Sequence, residues 1–396
     1  MELLLASWRK ADIPFTNRAE LSTIFILANL IPLLSIFYKK GSKMTENKLS
    51  IEKLKNLQWK IMQDVSASAL IPLMRIGDEL GLFIVLGKQG PCTESEFSNF
   101  AKIDQRYAKE WLLAMCAAGY ISHSDEVSKF YMSEEQKAVF SFEESSAFML
   151  GAFDILSGNI HNIEKVKKAF KTGKGVNYDD SHPCIFSGTA RFFRPSYSLN
   201  LLKKWIPAIP DVERKLKNGC NFADIGCGFG ISSMMIADAF QNSEIFGFDM
   251  HKPSIEIAIK DAKKQNLNNA KFEVADAESY CGKYDVITFF DCLHDMGDPL
   301  AASKYAFNHL NEDGTLILIE PSASDSPKEN FNTIGQMYYS FSTMGCIPTS
   351  KSQKKGLALG AQAGPKKLIK ILEESGFSKC KIVKKNATNM IITAKK

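Results

Sequence analysis

No Cys-x-x-Cys pair occurs among the nine cysteines of this 396-residue chain. Their odd number and scattered spacing argue against a disulfide scaffold, against a zinc site, and for a reducing compartment. Low-complexity tracts are absent, as is any block of like charge with interleaved aromatics that would line a nucleic-acid groove. The net charge of +5 is mild, and the excess lysine serves solubility. What is present is ordinary globular composition, 45% hydrophobic and 23% charged, in a chain long enough for two domains with cores. One long uncharged run stands out, the 18 residues from Leu21 to Tyr38. As a helix it would span about 27 Å, just short of a hydrocarbon core. Asn29 and Pro32 weaken it, and Arg9, Lys10 and Arg18 on one side against Lys39, Lys40 and Lys43 on the other give no orientation. Two readings stay open: a membrane tether, or an extension ahead of a start at Met44.

The richest local signal is Asn221-Phe-Ala-Asp-Ile-Gly-Cys-Gly-Phe-Gly230, an apolar run with an acid followed by glycines at every second position. This reads as a buried strand entering a glycine turn that opens a helix, where open α/β sheets hold nucleotide-like ligands. A dinucleotide fingerprint needs its third glycine one residue later. Asp224, two residues before Gly226, suits an ammonium group better than a phosphate, which points to S-adenosylmethionine. The following strands add what an adenosyl ligand needs. Glu244 to Met250 ends at Asp249, placed for a ribose diol. Lys271 to Ala277 brings Asp276 for the adenine amine and the Ala277 amide. Tyr284 to Asp291 closes a series of four strand-end acids. Any one of these acids could be a helix cap. Four of them at the βα period, after this turn, favour a cofactor edge formed by Asp224, Gly226, Cys227, Gly228, Gly230, Asp249, Met250, Asp276, Ala277 and Asp291. Cys227 and Cys292 read as small packing residues rather than nucleophiles, and Phe229 and Phe290 as core or as cation–π partners of a sulfonium. Gly314 to Pro321 reads as a fifth strand, Gly364 to Ser375 as a helix, and Lys379 to Val383 with Asn389 to Thr393 as a closing antiparallel pair.

With these segments the chain resembles the class I S-adenosylmethionine-dependent methyltransferases, and within them a branch with an N-terminal winged-helix domain. The resemblance runs from about Ile71 to the C-terminus. It is carried further by Gly81-Leu-Phe, Gly90-Pro-Cys-Thr-Glu-Ser-Glu96, Arg106-Tyr107, Trp111, Gly119-Tyr120, Thr172-Gly-Lys-Gly-Val-Asn-Tyr178, Arg194-Pro-Ser-Tyr197 and His294-Asp295. The implied fold is α/β, a seven-stranded Rossmann-like sheet preceded by a mainly helical winged-helix domain. Its expected divisions are 1–45 (extension or anchor), 46–145 (winged helix and dimerisation), 146–218 (helical linker) and 219–396 (catalytic). His294-Asp295 is similar to the His-Asp pair after the fourth strand of plant-type small-molecule O-methyltransferases, which implies His294 as base with Asp295 orienting it or capping the next turn. The long segment after the fifth strand departs from the plant pattern, so acceptor preference does not carry over. The resemblance also implies a homodimer through the winged-helix domain and a cytoplasmic catalytic part, where the cofactor is made.

In the N-terminal part, Thr93-Glu-Ser-Glu96 forms a capping box, Gln105 to Ala118 a helix, and Ile121 to Ser133 a wing hairpin. The Gln105 helix has too few basic residues for DNA readout. Phe148 to Phe170 and Tyr197 to Leu216 are expected as linking helices around a polar loop, Lys171 to Gly188. The glycines at 173 and 175 either let the chain approach a ligand or make an ordinary turn, and Tyr178 reads as a turn residue. Tyr197, by the resemblance, and Tyr338 are candidate acceptor contacts; the helix around Tyr338 is otherwise core. The in-line chemistry asks for positioning, worth on the order of 7–11 kcal/mol in favourable cases, and a base for a hydroxyl acceptor. An ordinary histidine pKa near ~6.5 suits that base. No Asp/Asn-Pro-Pro-Tyr/Phe follows the fourth strand and no double-glutamate loop is present, so nucleic-acid bases and protein arginines are not the targets. The expected activity is methylation of a small-molecule hydroxyl or thiol without a metal. The alternatives are an N-methyltransferase, or a winged-helix regulator that senses S-adenosylmethionine.

Overall fold

The computed structural model describes residues 49–396. The Leu21–Tyr38 run and the choice of start at Met44 lie outside them. Among the described residues no helix is long and apolar enough to cross a membrane. Helix Ile51–Ala69 buries none of its residues.

The winged helix forms as its local signals require. Thr93 caps helix Glu94–Ala101 in a capping box with Glu96, and Asp104 caps helix Gln105–Ala117. Strands β1 (Ser122–Ser124) and β2 (Lys129–Tyr131) make the antiparallel wing. Trp111 centres the core, edge-on to Phe83 at 5.0 Å and stacked on Phe97 at 5.9 Å, its ring N–H donating to the Leu73 carbonyl at 3.0 Å. The basic side chains of the Gln105 helix are occupied, Arg106 by Glu110 at 2.5 Å and Lys109 by Glu94 at 3.0 Å.

The C-terminal sheet contains β3 (Asn221–Ile225), β4 (Glu244–Asp249), β5 (Ala270–Val274), β6 (Tyr284–Phe290), β7 (Leu310–Pro321), β8 (Ser378–Lys385) and β9 (Asn389–Lys395). Their order is β5-β4-β3-β6-β7-β9-β8, parallel from β5 to β7, with β9 inserted antiparallel between β7 and β8. Successive strand residues feed opposite faces, as the two-residue pleat dictates. Phe222, Ile245, Val286 and Ile317 join one core with Trp205 and Leu216, while Ala223, Ile287, Leu316 and Ile392 join the other with Leu368 and Leu372. The strand order reverses between β3 and β6, and the carboxyl edge there is the place for a ligand.

The linker departs from the expected loop. Helix Pro183–Asn200 begins inside the Lys171–Gly188 stretch, carries Pro195 within it, and runs on into a π-helical turn at Leu201–Trp205. It crosses helix Leu150–His161 at glycine contacts: a Cβ on Gly151 would lie 2.5 Å from the Phe192 amide nitrogen, and one on Gly188 2.6 Å from the Asp154 Cβ. Asp154, 2% exposed, is held at this crossing by Arg191 at 2.6 Å and by Arg75; Arg191 also pairs with Asp78 at 2.6 Å. The crossing is thereby tied to the winged-helix domain.

Candidate active site

Two neighbouring cavities lie at the carboxyl edge of the sheet. The first, about 210 Å³, is lined by the glycine turn after β3, by Asp249 and Met250 after β4, by Asp276 and Ala277 after β5, and by Asp291 after β6. Gly226, Gly228 and Gly230 all take positive φ, which an L side chain resists. Their roles differ. A Cβ on Gly226 would meet the Cys292 sulfur at 2.8 Å and one on Gly230 the Phe272 ring at 2.5 Å, whereas at Gly228 there is open space. The Asp249 carboxylate accepts from the Gly228 amide at 2.9 Å and the His251 amide at 2.8 Å, fixing the turn against the next helix.

Two expected cofactor contacts do not reach this cavity. Asp224 is fully buried and turned inward, its carboxylate accepting from the Ser232 and Ser233 hydroxyls at 2.7 Å each and from Thr288 at 3.2 Å. Burial raises its pKa to about 6 against the pull of those hydroxyls. It ties β3 to the start of helix Ile231–Ala239. Gly230 packs on Phe272 and caps that helix instead of facing the cavity. Cys227 lines the cavity and Cys292 donates to the Ile225 carbonyl at 3.0 Å; burial pushes both thiols far above their ordinary value. Phe229, Phe290 and Tyr197 are also in this wall.

The second cavity, about 130 Å³, holds His294 and Tyr338 and shares Tyr178, Thr189, Phe193, Asp291, Asp295 and Thr349 with the first. The two expected acceptor residues therefore separate, Tyr197 to the first cavity and Tyr338 to the second, where its hydroxyl donates to the Thr388 carbonyl at 3.1 Å. Tyr178, read as a turn residue, borders both. Of the glycines before it, Gly173 faces open space and Gly175 approaches protein rather than ligand. A Cβ on Gly175 would lie 2.0 Å from the Ser352 amide nitrogen, and Val176 donates to the Pro348 carbonyl at 3.0 Å.

His294 is 4% exposed between two carboxylates. Its Nδ1 bonds Glu320 at the end of β7, and its Nε2 lies 3.1 Å from Asp295. Burial alone would discharge the ring; Asp295 and Glu320 overcome it and hold the pKa well above the ordinary 6.5. The expectation of an unperturbed histidine is corrected accordingly. Glu320 went unread in the sequence although it continues the series of strand-end acids by one more strand. Asp291, at the junction of the cavities, has φ of +53°. Asn389 donates to its Oδ1 at 3.0 Å, and Oδ2 is buried with no partner among the described residues. Burial, reinforced by Glu320, pushes its pKa well up. Cys346 brings a sulfur to the same place: with His294 Nε2 or Nδ1 and an Asp295 oxygen, the three ligand atoms lie within 4.8 Å. Cysteine spacing in the sequence could not show this set, because it is assembled from distant segments.

The donor set of the first cavity fits S-adenosylmethionine. Among the described residues lining it there is no lysine or arginine to meet a phosphate, while Asp249, Asp276, Asp291 and Asp295 supply carboxylates for a diol, an amine or a cationic centre. A glycine turn at the switch point of a 3-2-1-4-5-type sheet, with acids after each strand, defines a methyltransferase domain of the S-adenosylmethionine-dependent class. Comparison with known proteins agrees. Residues 216–376 match the family described as Methyltransferase domain, and residues 67–141 the Rv2258c-like winged HTH domain. The chain thus carries an S-adenosylmethionine-dependent methyltransferase domain behind a winged-helix domain. A mitochondrial ubiquinone biosynthesis O-methyltransferase of Saccharomyces cerevisiae is 26% identical over 173 residues, 43% of this chain and 51% of that protein. The chain therefore spans about half the length of this curated relative. Human N-acetylserotonin methyltransferase, solved with S-adenosylmethionine, shares the fold at a TM-score of 0.65 and 15% identity, covering 89% of this chain and 99% of that one. An O-methyltransferase-like structure from Nostoc punctiforme gives 0.64 and 15%, covering 85% and 98%.

Proposed function

We propose that the protein methylates a hydroxyl or thiol of a small organic acceptor, with S-adenosylmethionine held in the first cavity and the acceptor in the second. The observation that carries this reading is the junction of the two cavities at Asp291 and Asp295, with His294 on the acceptor side. Bound S-adenosylmethionine supplies an electrophilic sulfonium methyl. Asp249 and Gly228 would hold the ribose side, Asp276 and Ala277 the adenine, and Gly226, Cys227, Met250 and Asp291 the remaining edge. In the neutral His294 ring, Nδ1–H donates to Glu320, leaving the Nε2 lone pair to take the acceptor proton; the electron pair of that bond stays on the attacking oxygen or sulfur. Asp295, beside Nε2, stabilises the imidazolium that results.

Full-length protein incubated with S-adenosylmethionine and a panel of phenols, thiols and amines tests the reading through S-adenosylhomocysteine release, each compound repeated with His294→Ala. Turnover of phenols or thiols, lost or weakened in the variant, is the expected result. Amine turnover that survives the variant would replace it with N-methylation, and cofactor binding without any turnover would favour a sensor. We further infer a homodimer, supported by Ile51, Leu57, Trp59, Ile61 and Val65, all exposed on helix Ile51–Ala69, which buries none of its residues. Light scattering should give twice the 44.1 kDa chain mass; a monomer mass refutes it.

A further inference from the structure

The second cavity also restricts what can enter it. Helices Leu150–His161 and Pro183–Asn200 supply Ile155, Ile185, Phe192 and Phe193, and Phe341 and Met344 complete an apolar wall. A cavity of roughly 150 Å³ holds a bare benzene ring, so about 130 Å³ is on the scale of a single ring rather than a multi-ring acceptor, with substituents extending toward the adjoining first cavity. The described lining contains no lysine or arginine, while the Asp295 carboxylate borders it and the charge of His294 is already matched by Asp295 and Glu320. An acceptor carboxylate or phosphate would enter without a countercharge and beside like charge, which is strongly unfavourable.

Asn162 adds a positive requirement. It is 4% exposed and lines this cavity, no side-chain hydrogen bond of it occurs among the described residues, and its amide atoms are not among the fully enclosed polar atoms left without a partner, so the amide is open to the cavity. Its backbone is committed: the amide donates to the Gly158 carbonyl at 3.1 Å and the carbonyl accepts from Val166 at 3.0 Å, joining two helices. As an ordinary cap, Asn162 would also bond the next helix through its side chain, and it makes no such bond. An amide open to a cavity is available to bond a bound ligand or a bridging water. Asn159, three residues earlier and so on the same helical face, lines the cavity with its side chain likewise unbonded. A neutral amide offers one donor and one acceptor face, matching a carbonyl, hydroxyl or amide rather than an ion.

Resting on the methyltransferase reading, we propose that the acceptor is an uncharged single-ring hydroxyarene or its thiol counterpart bearing a second, neutral hydrogen-bonding group, and that Asn162 is the specificity-determining residue that binds that group. The test uses full-length protein with three probes: 4-hydroxybenzamide, 4-hydroxybenzoate and phenol. S-Adenosylhomocysteine binding is measured in parallel by calorimetry. The amide should exceed the carboxylate in kcat/KM by about 10²-fold. In Asn162→Leu the amide-to-phenol ratio of kcat/KM should fall about tenfold through KM, with kcat little changed. Equal use of the carboxylate, or an equal loss on amide and phenol with kcat reduced, would overturn the proposal and leave Asn162 a structural residue. The wild-type comparison of amide and carboxylate stands even where the variant fails to fold. If S-adenosylhomocysteine binds and none of the three probes is used, this substrate class is wrong while the methyltransferase reading survives on the wider panel. If S-adenosylhomocysteine does not bind, the methyltransferase reading itself fails.

Discussion

Alanine at His294 should lower kcat/KM for a phenolic acceptor by roughly 10²–10⁴-fold, the range that general-base catalysis supplies, while S-adenosylhomocysteine binding stays within about twofold. The ring lines the acceptor cavity and not the cofactor cavity, so its loss removes proton transfer without removing a cofactor contact. The pH dependence makes the expectation sharper. Because Asp295 and Glu320 raise the His294 pKa well above 6.5 against burial, the protonated ring is favoured and the neutral fraction able to take a proton grows as pH rises. The rate should therefore rise with pH, with its ascending limb above pH 6.5. Glu320→Gln removes one of the two carboxylates, and should move that limb to lower pH while lowering the plateau. A limb left in place in Glu320→Gln would remove His294 from the role of base. Stability follows the opposite course. The raised pKa contributes folding stability that is complete below pH 6.5 and is lost as pH rises through the folded value. Wild type should thus lose more stability on the alkaline side than His294→Ala, as denaturant midpoints across pH would report.

Asp249→Ala should weaken cofactor binding by roughly 10²–10⁴-fold, since two charge-assisted hydrogen bonds contribute about 1.5–3 kcal/mol each. Besides removing the acceptors proposed for the ribose, the change leaves the Gly228 and His251 amides unpaired and loosens the glycine turn. Asp249→Asn retains one acceptor and should fall between the two. Calorimetry with S-adenosylhomocysteine measures both, and unchanged affinity in Asp249→Ala would withdraw Asp249 from the cofactor site. Asp224→Asn offers a contrast, because among the described residues the Asp224 carboxylate bonds Ser232, Ser233 and Thr288 within the core; its effect belongs to stability.

The catalytic sheet was readable because four of its parallel strands, β3 to β6, carry an acid at or near their carboxyl ends, and the βα period repeats that signature. Reading every such acid as a ligand went too far at Asp224. There the informative residues were Ser232 and Ser233 in the next helix, whose hydroxyls turn the carboxylate inward. The helix Pro183–Asn200 was hidden by Gly188 and Pro195, residues that argue against a helix locally, and Gly188 is required here by the close crossing with a neighbouring helix. The acceptor cavity had no sequence period to announce it, since its wall draws on residues as far apart as Ile155, His294 and Ala361. The charge state of His294 was only partly in reach, since its neighbour Asp295 was visible while the burial and Glu320, 26 positions away, were not.

The separation of the two cavities has a bearing on how such a protein can change. Ile155, Asn159, Asn162, Ile185 and Phe192 belong to the acceptor cavity alone and sit on helices before the sheet begins. The glycine turn and Asp249 belong to the cofactor cavity alone. Substitutions that redraw the acceptor wall can therefore accumulate without eroding cofactor affinity, provided Gly151, Gly188 and Asp154 keep the two helices in place. Selection has one face to vary and another to hold constant, and new substrates can be acquired by inheritance of an intact engine.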